Sequence, residues 1–111
     1  MDRQIRKDRD NYIDLAERIR DIARSMEARE HTPTAIGDWS IGNGYGEGIY
    51  VHRGRVWHET GPNGTWAAYS GGTTYERRPM EPDETASLLR RVSSTELEEI
   101  TCLVHRMQRR M

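Results

Sequence analysis

Apolar residues near the N-terminus recur at spacings of three and four, which is the period of one face of an α-helix. The recurring positions are Tyr12, Leu15, Ile19, Ile22 and Met26. Nearly all other positions of this segment are charged or small, so the pattern predicts an amphipathic helix over residues 8–29. Pro33 then ends the helix, because proline disfavours a helical residue before it. The apolar stripe predicts packing on the rest of the domain or, alternatively, pairing with a second copy or a partner.

Two further helices are predicted in the C-terminal third of the chain. Asp83 can cap a helix over residues 83–91, directly after Pro82. Ser93 followed by Glu96 has the spacing of a capping box, and it opens a helix over residues 94–110. The apolar stripe of this last helix is Leu97, Ile100, Val104, Met107 and Met111.

Between the helical segments, residues 38–77 contain short apolar stretches separated by glycine-rich turns, as is typical of antiparallel strands. Arg53 and Gly54 form a two-residue turn signal for a tight hairpin. Residues 61–64 and 70–72 predict two more turns. The chain 1–111 is therefore predicted to be a single α+β domain: a long N-terminal helix, a central antiparallel β-meander of three to five strands, and two C-terminal helices.

The predicted turns also predict which side chains share a face of the sheet. A two-residue turn at Arg53 and Gly54 places Tyr50 opposite Trp57, and a turn over residues 61–64 places Glu59 opposite Trp66. One face is then aliphatic and packs on the helices; it comprises Ile49, Val51, Val56, His58, Ala67 and Tyr69. The other face combines rings and charges; it comprises Tyr50, His52, Arg55, Trp57, Glu59, Trp66 and Ala68.

The ring-and-charge face has two interpretations. Its tryptophans are either cross-strand packing rings that the chain itself covers, or an open platform for a partner. An open platform suits a protein contact, since interface hot spots favour Trp, Tyr and Arg. The candidate binding residues are Trp39, Tyr45, Tyr50, His52, Arg55, Trp57 and Trp66.

The composition limits the classes of partner. The 17 basic and 18 acidic residues give a net charge of −1, so no global field favours nucleic acid or an anionic membrane. Ile, Leu and Val total only 17 residues, which predicts a thin core and favours a homo-oligomer or an obligate partner. The single cysteine, Cys102, and the lack of a membrane-length apolar stretch predict a cytoplasmic protein.

No motif in the sequence predicts a catalytic or metal centre. The glycine-rich residues 42–48 lack the spacing of a dinucleotide loop and precede a strand. Cys102 and His105 have ligand-like spacing without a second pair, so neither a metal nor a cofactor is predicted. His58 is predicted on the opposite face from His52 and Glu59, with no nucleophile beside them, so enzymatic activity is not expected.

We therefore expect a non-catalytic interaction protein of bacterial or phage origin: a small inhibitor, immunity factor or regulator that acts by protein–protein contact. The alternative is a module that binds a small anionic ligand or nucleotide by ring stacking and arginine contacts. A weaker alternative is a regulator that binds nucleic acid through C-terminal arginines. Acidic residues interleave with those arginines and argue against it.

Overall fold

The predicted α+β fold is confirmed in the computed structural model, which describes residues 2–26, 33–42, 45–62 and 76–110. The N-terminal helix is followed by four antiparallel strands and two helices, in the order predicted. The elements are α1 (Asp2–Ser25), β1 (Thr34–Gly42), β2 (Tyr45–His52), β3 (Arg55–Pro62), β4 (Glu76–Met80), α2 (Pro82–Leu89) and α3 (Ser94–Arg109).

Several elements are longer than the sequence pattern predicts. Helix α1 begins at Asp2 rather than at residue 8, because Arg, Gln and Lys are good helix formers and neither glycine nor proline interrupts the segment. The predicted continuation of this helix to residue 29 falls largely outside the described residues. Strand β1 begins at Thr34 rather than near Trp39, since it pairs with β2 from that residue onward.

The sheet has the strand order β1-β2-β3-β4, and every neighbouring pair is antiparallel. The predicted hairpin register is confirmed, with His52 opposite Arg55 and Tyr50 opposite Trp57. Both turn residues have positive φ, 50° at Arg53 and 76° at Gly54, as the mirror-image turns that suit twisted hairpins require.

The predicted pairing of Glu59 with Trp66 is wrong. The two edges of β3 are occupied by β2 and β4, and Glu59 lies opposite Arg77. The predicted strand that contains Trp66 lies outside the described residues. The sheet extends beyond the predicted limit at residue 77, because β4 runs to Met80 and contains Pro79, whose missing N–H is tolerated at the edge of the described sheet.

The predicted aliphatic face is confirmed for Ile49, Val51, Val56 and His58, which lie on the side of the sheet that the helices cover, whereas Ala67 and Tyr69 lie outside the described residues. Val51 lies opposite Val56, and Val56 lies opposite Met80, so one row of apolar side chains crosses three strands. Each such side chain contributes roughly 1.5 to 3 kcal/mol when it is fully buried. The apolar residues buried with them are Leu15, Ala16, Ile19, Ile22, Ala23, Ile36, Ile49, Ala86, Leu88, Leu89, Ile100 and Val104.

Side-chain caps define where the two C-terminal helices begin. The Ser93 hydroxyl accepts a hydrogen bond of 3.2 Å from the Glu96 N–H, which confirms the predicted start of α3. The residue before α2 is Glu81 rather than the predicted Asp83, and its N–H donates to Glu84 Oε1 at 3.3 Å. This arrangement leaves Pro82 in the first turn, where a proline costs no hydrogen bond.

A glycine allows α3 to approach β1 closely. A Cβ placed on Gly37 would lie 2.8 Å from Ile100 Cγ1 and 3.0 Å from Ile100 Cδ1. Because Ile100 is itself buried, it has little space into which it can move. The absence of a side chain at Gly37 thus sets the distance between the last helix and the sheet.

Gly37→Ala is expected to lower the free energy of unfolding by about 1 to 3 kcal/mol, the usual cost of overpacking a core. Ile100→Ala removes the two atoms that the new methyl group would meet. In a double-mutant cycle by chemical denaturation, Gly37→Ala should therefore cost less in the Ile100→Ala background than in the native chain. Equal costs in both backgrounds would show that the contact does not set the helix position.

Arg53→Asn is expected to stabilise the protein by about 1 kcal/mol, because asparagine tolerates positive φ better than arginine does. Thermal or chemical unfolding measures this difference. Arg55→Asn, at the neighbouring strand position, serves as the control and should give no stabilisation. A loss of stability in Arg53→Asn would mean that the Arg53 side chain contributes more than its backbone strain costs.

Candidate functional site

The predicted binding residues do not form one surface. Trp39 pairs with Glu47 and therefore lies on the helix-covered face with Ile49, where it packs against the core. Tyr45 belongs to the same face at the far end of β2. The predicted residues on the second face are Tyr50, His52, Arg55 and Trp57, whereas Trp66 lies outside the described residues.

Tyr50 is part of the packing of the second face rather than an exposed contact. Its side chain is buried, with 3% of the residue surface exposed. A Cβ on Gly48 would lie 2.7 Å from Tyr50 Cε2, so the ring lies over a position that only glycine leaves open. The Tyr50 hydroxyl is also 3.5 Å from Asp38 Oδ2. For Tyr50, the interpretation as a covered packing ring is the correct one.

The other predicted residues of this face lie near the β2–β3 turn. The Trp57 side chain is partly buried, and its indole Nε1–H donates to the backbone carbonyl of His52 at 3.1 Å. Arg55 is exposed beside them. Since a strand rises about 3.3 Å per residue, His52 and Tyr45 stand at opposite ends of β2, about 23 Å apart.

The strongest electrostatic contact on the second face is an ion pair that the sequence pattern did not predict. Arg77 Nε donates to Glu59 Oε2 at 2.6 Å, and Glu59 is fully buried. Glu59 Oε1 has no hydrogen-bond partner among the described residues. A buried carboxylate needs a partner, so this pair links β3 to β4.

The helix-covered face carries a polar cluster near its margin. His58 Nε2 lies 3.1 Å from Glu47 Oε2 and 3.4 Å from Thr60 Oγ1. The side chains of His58 and Glu47 are only 15% and 13% exposed. The sequence placed His58 on this face correctly but missed Glu47. The predicted hairpin register would have indicated the contact between Glu47 and His58, because the two residues are diagonal neighbours across the β2–β3 pair.

A small cleft adjoins this cluster, between the sheet and α2. Its volume is about 170 Å³. Met80 and Leu88, both buried, form its apolar part. The polar residues that line it are His58, Arg78, Glu84, Ser87 and Arg91. Arg78 Nη1 is 3.7 Å from Glu84 Oε2 at the mouth of the cleft, where both side chains are exposed.

A second groove runs between α1 and α3 and has a volume of about 380 Å³. Leu15 and Leu97 lie in it, and Arg18 spans it by bonding Asp14 at 2.8 Å and Gln108 Oε1 at 3.1 Å. Arg18 therefore fastens the two helices together across a space that their apolar stripes do not fill.

Among the residues whose burial the structure describes, the two exposed large hydrophobic residues belong to the β1–β2 hairpin. Ile41 is 52% exposed and Tyr45 is 51% exposed. Gly42 pairs with Tyr45, and Ile41 precedes Gly42 at a register irregularity of the β1–β2 hairpin. We call Ile41 and Tyr45 the hairpin patch.

Three carboxylates lie at the junction of β1 and α3. Burial, followed by the neighbouring carboxylates of Glu99 and Asp38, raises the pKa of Glu96. The folded state therefore holds a proton on Glu96 more tightly than the unfolded chain does. The corresponding stabilisation is complete below the ordinary pKa of glutamate and is lost as the pH rises through the raised value. Glu96 thus contributes less to folding stability at neutral pH than at acidic pH.

Within the described ranges, no three His, Cys, Asp or Glu side chains come together as metal ligands would. Cys102 and His105 are both exposed on α3. No helix in the described part of the chain combines the length and apolar character needed to cross a bilayer. Comparisons with protein-family models, with curated proteins and with solved structures find no match to this chain.

Arg77→Met is expected to lower the free energy of unfolding by about 3 kcal/mol, because it leaves the buried Glu59 carboxylate without its cation. The double variant Glu59→Met with Arg77→Met removes both charges and should recover most of that loss. Chemical denaturation of the two variants at one pH measures the difference. A double variant no more stable than Arg77→Met would show that the ion pair is not what holds β4 in place.

Proposed function

We propose that this protein is a non-catalytic interaction protein of the cytoplasm that acts by protein–protein contact, as a small inhibitor, immunity factor or regulator of bacterial or phage origin. The observation that carries the proposal is the hairpin patch. Ile41 and Tyr45 are both about half exposed on the same hairpin, although the chain has few large apolar residues with which to build its core. Adjacent exposed apolar side chains are a mark of interaction surfaces.

The position of the hairpin patch supports this use. Tyrosine is favoured at interface hot spots because its ring offers a large contact area with few rotatable bonds. Among the described strands β1 lies at an edge of the sheet, with β2 as its neighbour. A partner can then contact the two side chains and also pair with the edge.

The three carboxylates at the junction of β1 and α3 favour a partner surface that carries positive charge. Asp38 and Glu99 are exposed, and Glu96 is partly exposed between β1 and α3. A partner surface with basic residues around an apolar centre would complement this arrangement. Such rim charges mainly raise the association rate, and salt weakens their effect.

The site proposed here differs from the one that the sequence pattern indicated. Tyr50 is covered, and Trp57 is partly buried and bonded to the His52 carbonyl, so the ring-and-charge face offers less open surface than an exposed platform would. Tyr45 and Arg55 are the predicted residues that are exposed. His52, at the opposite end of β2 from Tyr45, and Arg55, which pairs with His52 from β3, belong to any second contact surface rather than to the hairpin patch.

The double variant Ile41→Ser with Tyr45→Ser is expected to lose at least about 2 kcal/mol of partner affinity, the usual threshold of a hot spot. Its thermal midpoint should stay close to that of the native chain, since both side chains are half exposed. Affinity capture from the cells that express the protein, followed by titration of the captured partner, measures the effect.

Arg106→Gln is the matched control, because Arg106 is exposed on α3 away from β1. It should capture the partner as the native chain does. Equal capture by the native chain and the double variant would remove the hairpin patch as the contact surface. Light scattering of both proteins tests whether the partner is a second copy of this chain. In that case the native chain would be a dimer and the double variant a monomer.

A further inference from the structure

We propose that the cleft between the sheet and α2 binds a small tetrahedral oxyanion, either inorganic phosphate or the terminal group of a phosphomonoester. Two arginines, Arg78 and Arg91, line the cleft, with His58 as its least exposed basic group. Guanidinium groups bind phosphate oxygens through paired N–H donors, and they keep their charge at any physiological pH. This site is independent of the hairpin patch and adds to the proposed function.

The hydrogen bonds of His58 suit it to an anion. Glu47 Oε2 and Thr60 Oγ1 both lie within hydrogen-bond range of His58 Nε2, on the sheet side of the ring. When the ring is protonated, Nε2 donates to the Glu47 carboxylate and Nδ1 becomes a second donor. The ring therefore has a nitrogen other than Nε2 that can donate to an oxyanion in the cleft.

The apolar residues of the cleft strengthen these contacts. Met80 and Leu88 are buried beside the arginines, so part of any bound anion is shielded from water. Charge-assisted hydrogen bonds are stronger where the local dielectric constant is low. Ser87 adds a hydroxyl at the exposed side of the cleft, where it can donate to an oxygen of the anion.

Glu84 is the group that opposes an anion in this cleft. Its Oε2 lies 3.7 Å from Arg78 Nη1, but the pair is exposed and therefore weak. Its other oxygen, Oε1, accepts the hydrogen bond from the Glu81 N–H that begins α2. Glu84 can thus keep its role at the helix start while Arg78 turns to the oxyanion.

The size of the cleft selects the class of ligand. Its volume of about 170 Å³ is below the roughly 300 to 1,000 Å³ of pockets that enclose drug-sized molecules. A phosphate group fits, whereas a whole nucleotide would have to leave its base outside. Trp57 lies on the other face of the sheet, so its ring is not placed to stack on a base bound here.

The test is an NMR titration of the native chain with inorganic phosphate and, separately, with glycerol phosphate. Saturable shifts are expected at the backbone amides of Arg78, Ser87 and Arg91 with at least one of the two probes. Binding of both probes would assign the cleft to phosphomonoesters, and binding of inorganic phosphate alone would assign it to the free ion. No saturable shift with either probe overturns the proposal.

Charge variants distinguish specific binding of phosphate in this cleft from its non-specific attraction to an arginine-rich surface. Arg78→Gln and Arg91→Gln should each weaken phosphate binding about tenfold, as expected for the loss of a charge-assisted hydrogen bond. Arg106→Gln, on α3, should leave the affinity unchanged. Glu84→Gln should tighten binding about threefold or more, because it removes the opposing charge and keeps an acceptor for the Glu81 N–H.

The Glu84 variant is decisive, since damage to the fold does not increase affinity. Unchanged or weaker binding in Glu84→Gln, or equal losses in Arg78→Gln and Arg106→Gln, would overturn the proposal.

A separate measurement of sulfate binding tests the role of His58. In the Glu84→Gln background, adding His58→Gln should weaken sulfate binding, because it removes the least exposed basic side chain of the cleft. Arg78 and Arg91 then remain as the charged groups that line the cleft. Equal sulfate affinity with and without His58→Gln would remove His58 from the site.

Discussion

The packing of α1 on the aliphatic face of the sheet is the interaction on which the rest of the structure depends. Ile19 and Ile22 are fully buried against strands that supply only a few apolar side chains each. At 24 residues, α1 is about 36 Å long, so it can touch β2, β3 and both C-terminal helices at once. A chain with so few Ile, Leu and Val residues has one core, and α1 organises it.

The two faces of the sheet are stabilised by different physics. On the helix-covered face, apolar burial dominates, and Gly37 lets α3 come close enough to join it. On the second face, the buried Glu59 carboxylate pairs with Arg77, and the Tyr50 ring occupies the space that a side chain at position 48 would need. A buried ion pair contributes less net stability than apolar side chains would, but it disfavours other registers of β4 because a shift by one residue would leave Glu59 unpaired.

Much of the fold could be predicted from the sequence because its signals are local. The turn at Arg53 and Gly54 fixes the β2–β3 register within a few residues, and the Ser93 cap needs only Glu96 to complete it. The Glu59–Arg77 pair could not be predicted in this way. It joins residues 18 apart along the chain, and no local rule says which later strand takes the second edge of β3.

The predicted binding site was less accurate than the predicted fold, and the reason is again physical. Composition shows that rings concentrate in the central block, but it does not show which of them the chain covers. Tyr50 and Tyr45 lie five residues apart on β2, yet one is buried and the other is half exposed. That difference depends on where neighbouring elements end, which is a property of the packed molecule rather than of the strand.

Both proposed surfaces include partly exposed residues of the helix-covered face of the sheet. Tyr45 of the hairpin patch is half exposed on that face, and the oxyanion cleft opens beside α2. A side chain in such a position is packed partly against the core and is partly in contact with solvent. His58 shows the consequence, because Glu47 holds the ring from the sheet side while the cleft gives it access to a solute. A thin core thus leaves side chains that are rigidly held yet accessible, and rigidly held groups bind a ligand at low entropic cost.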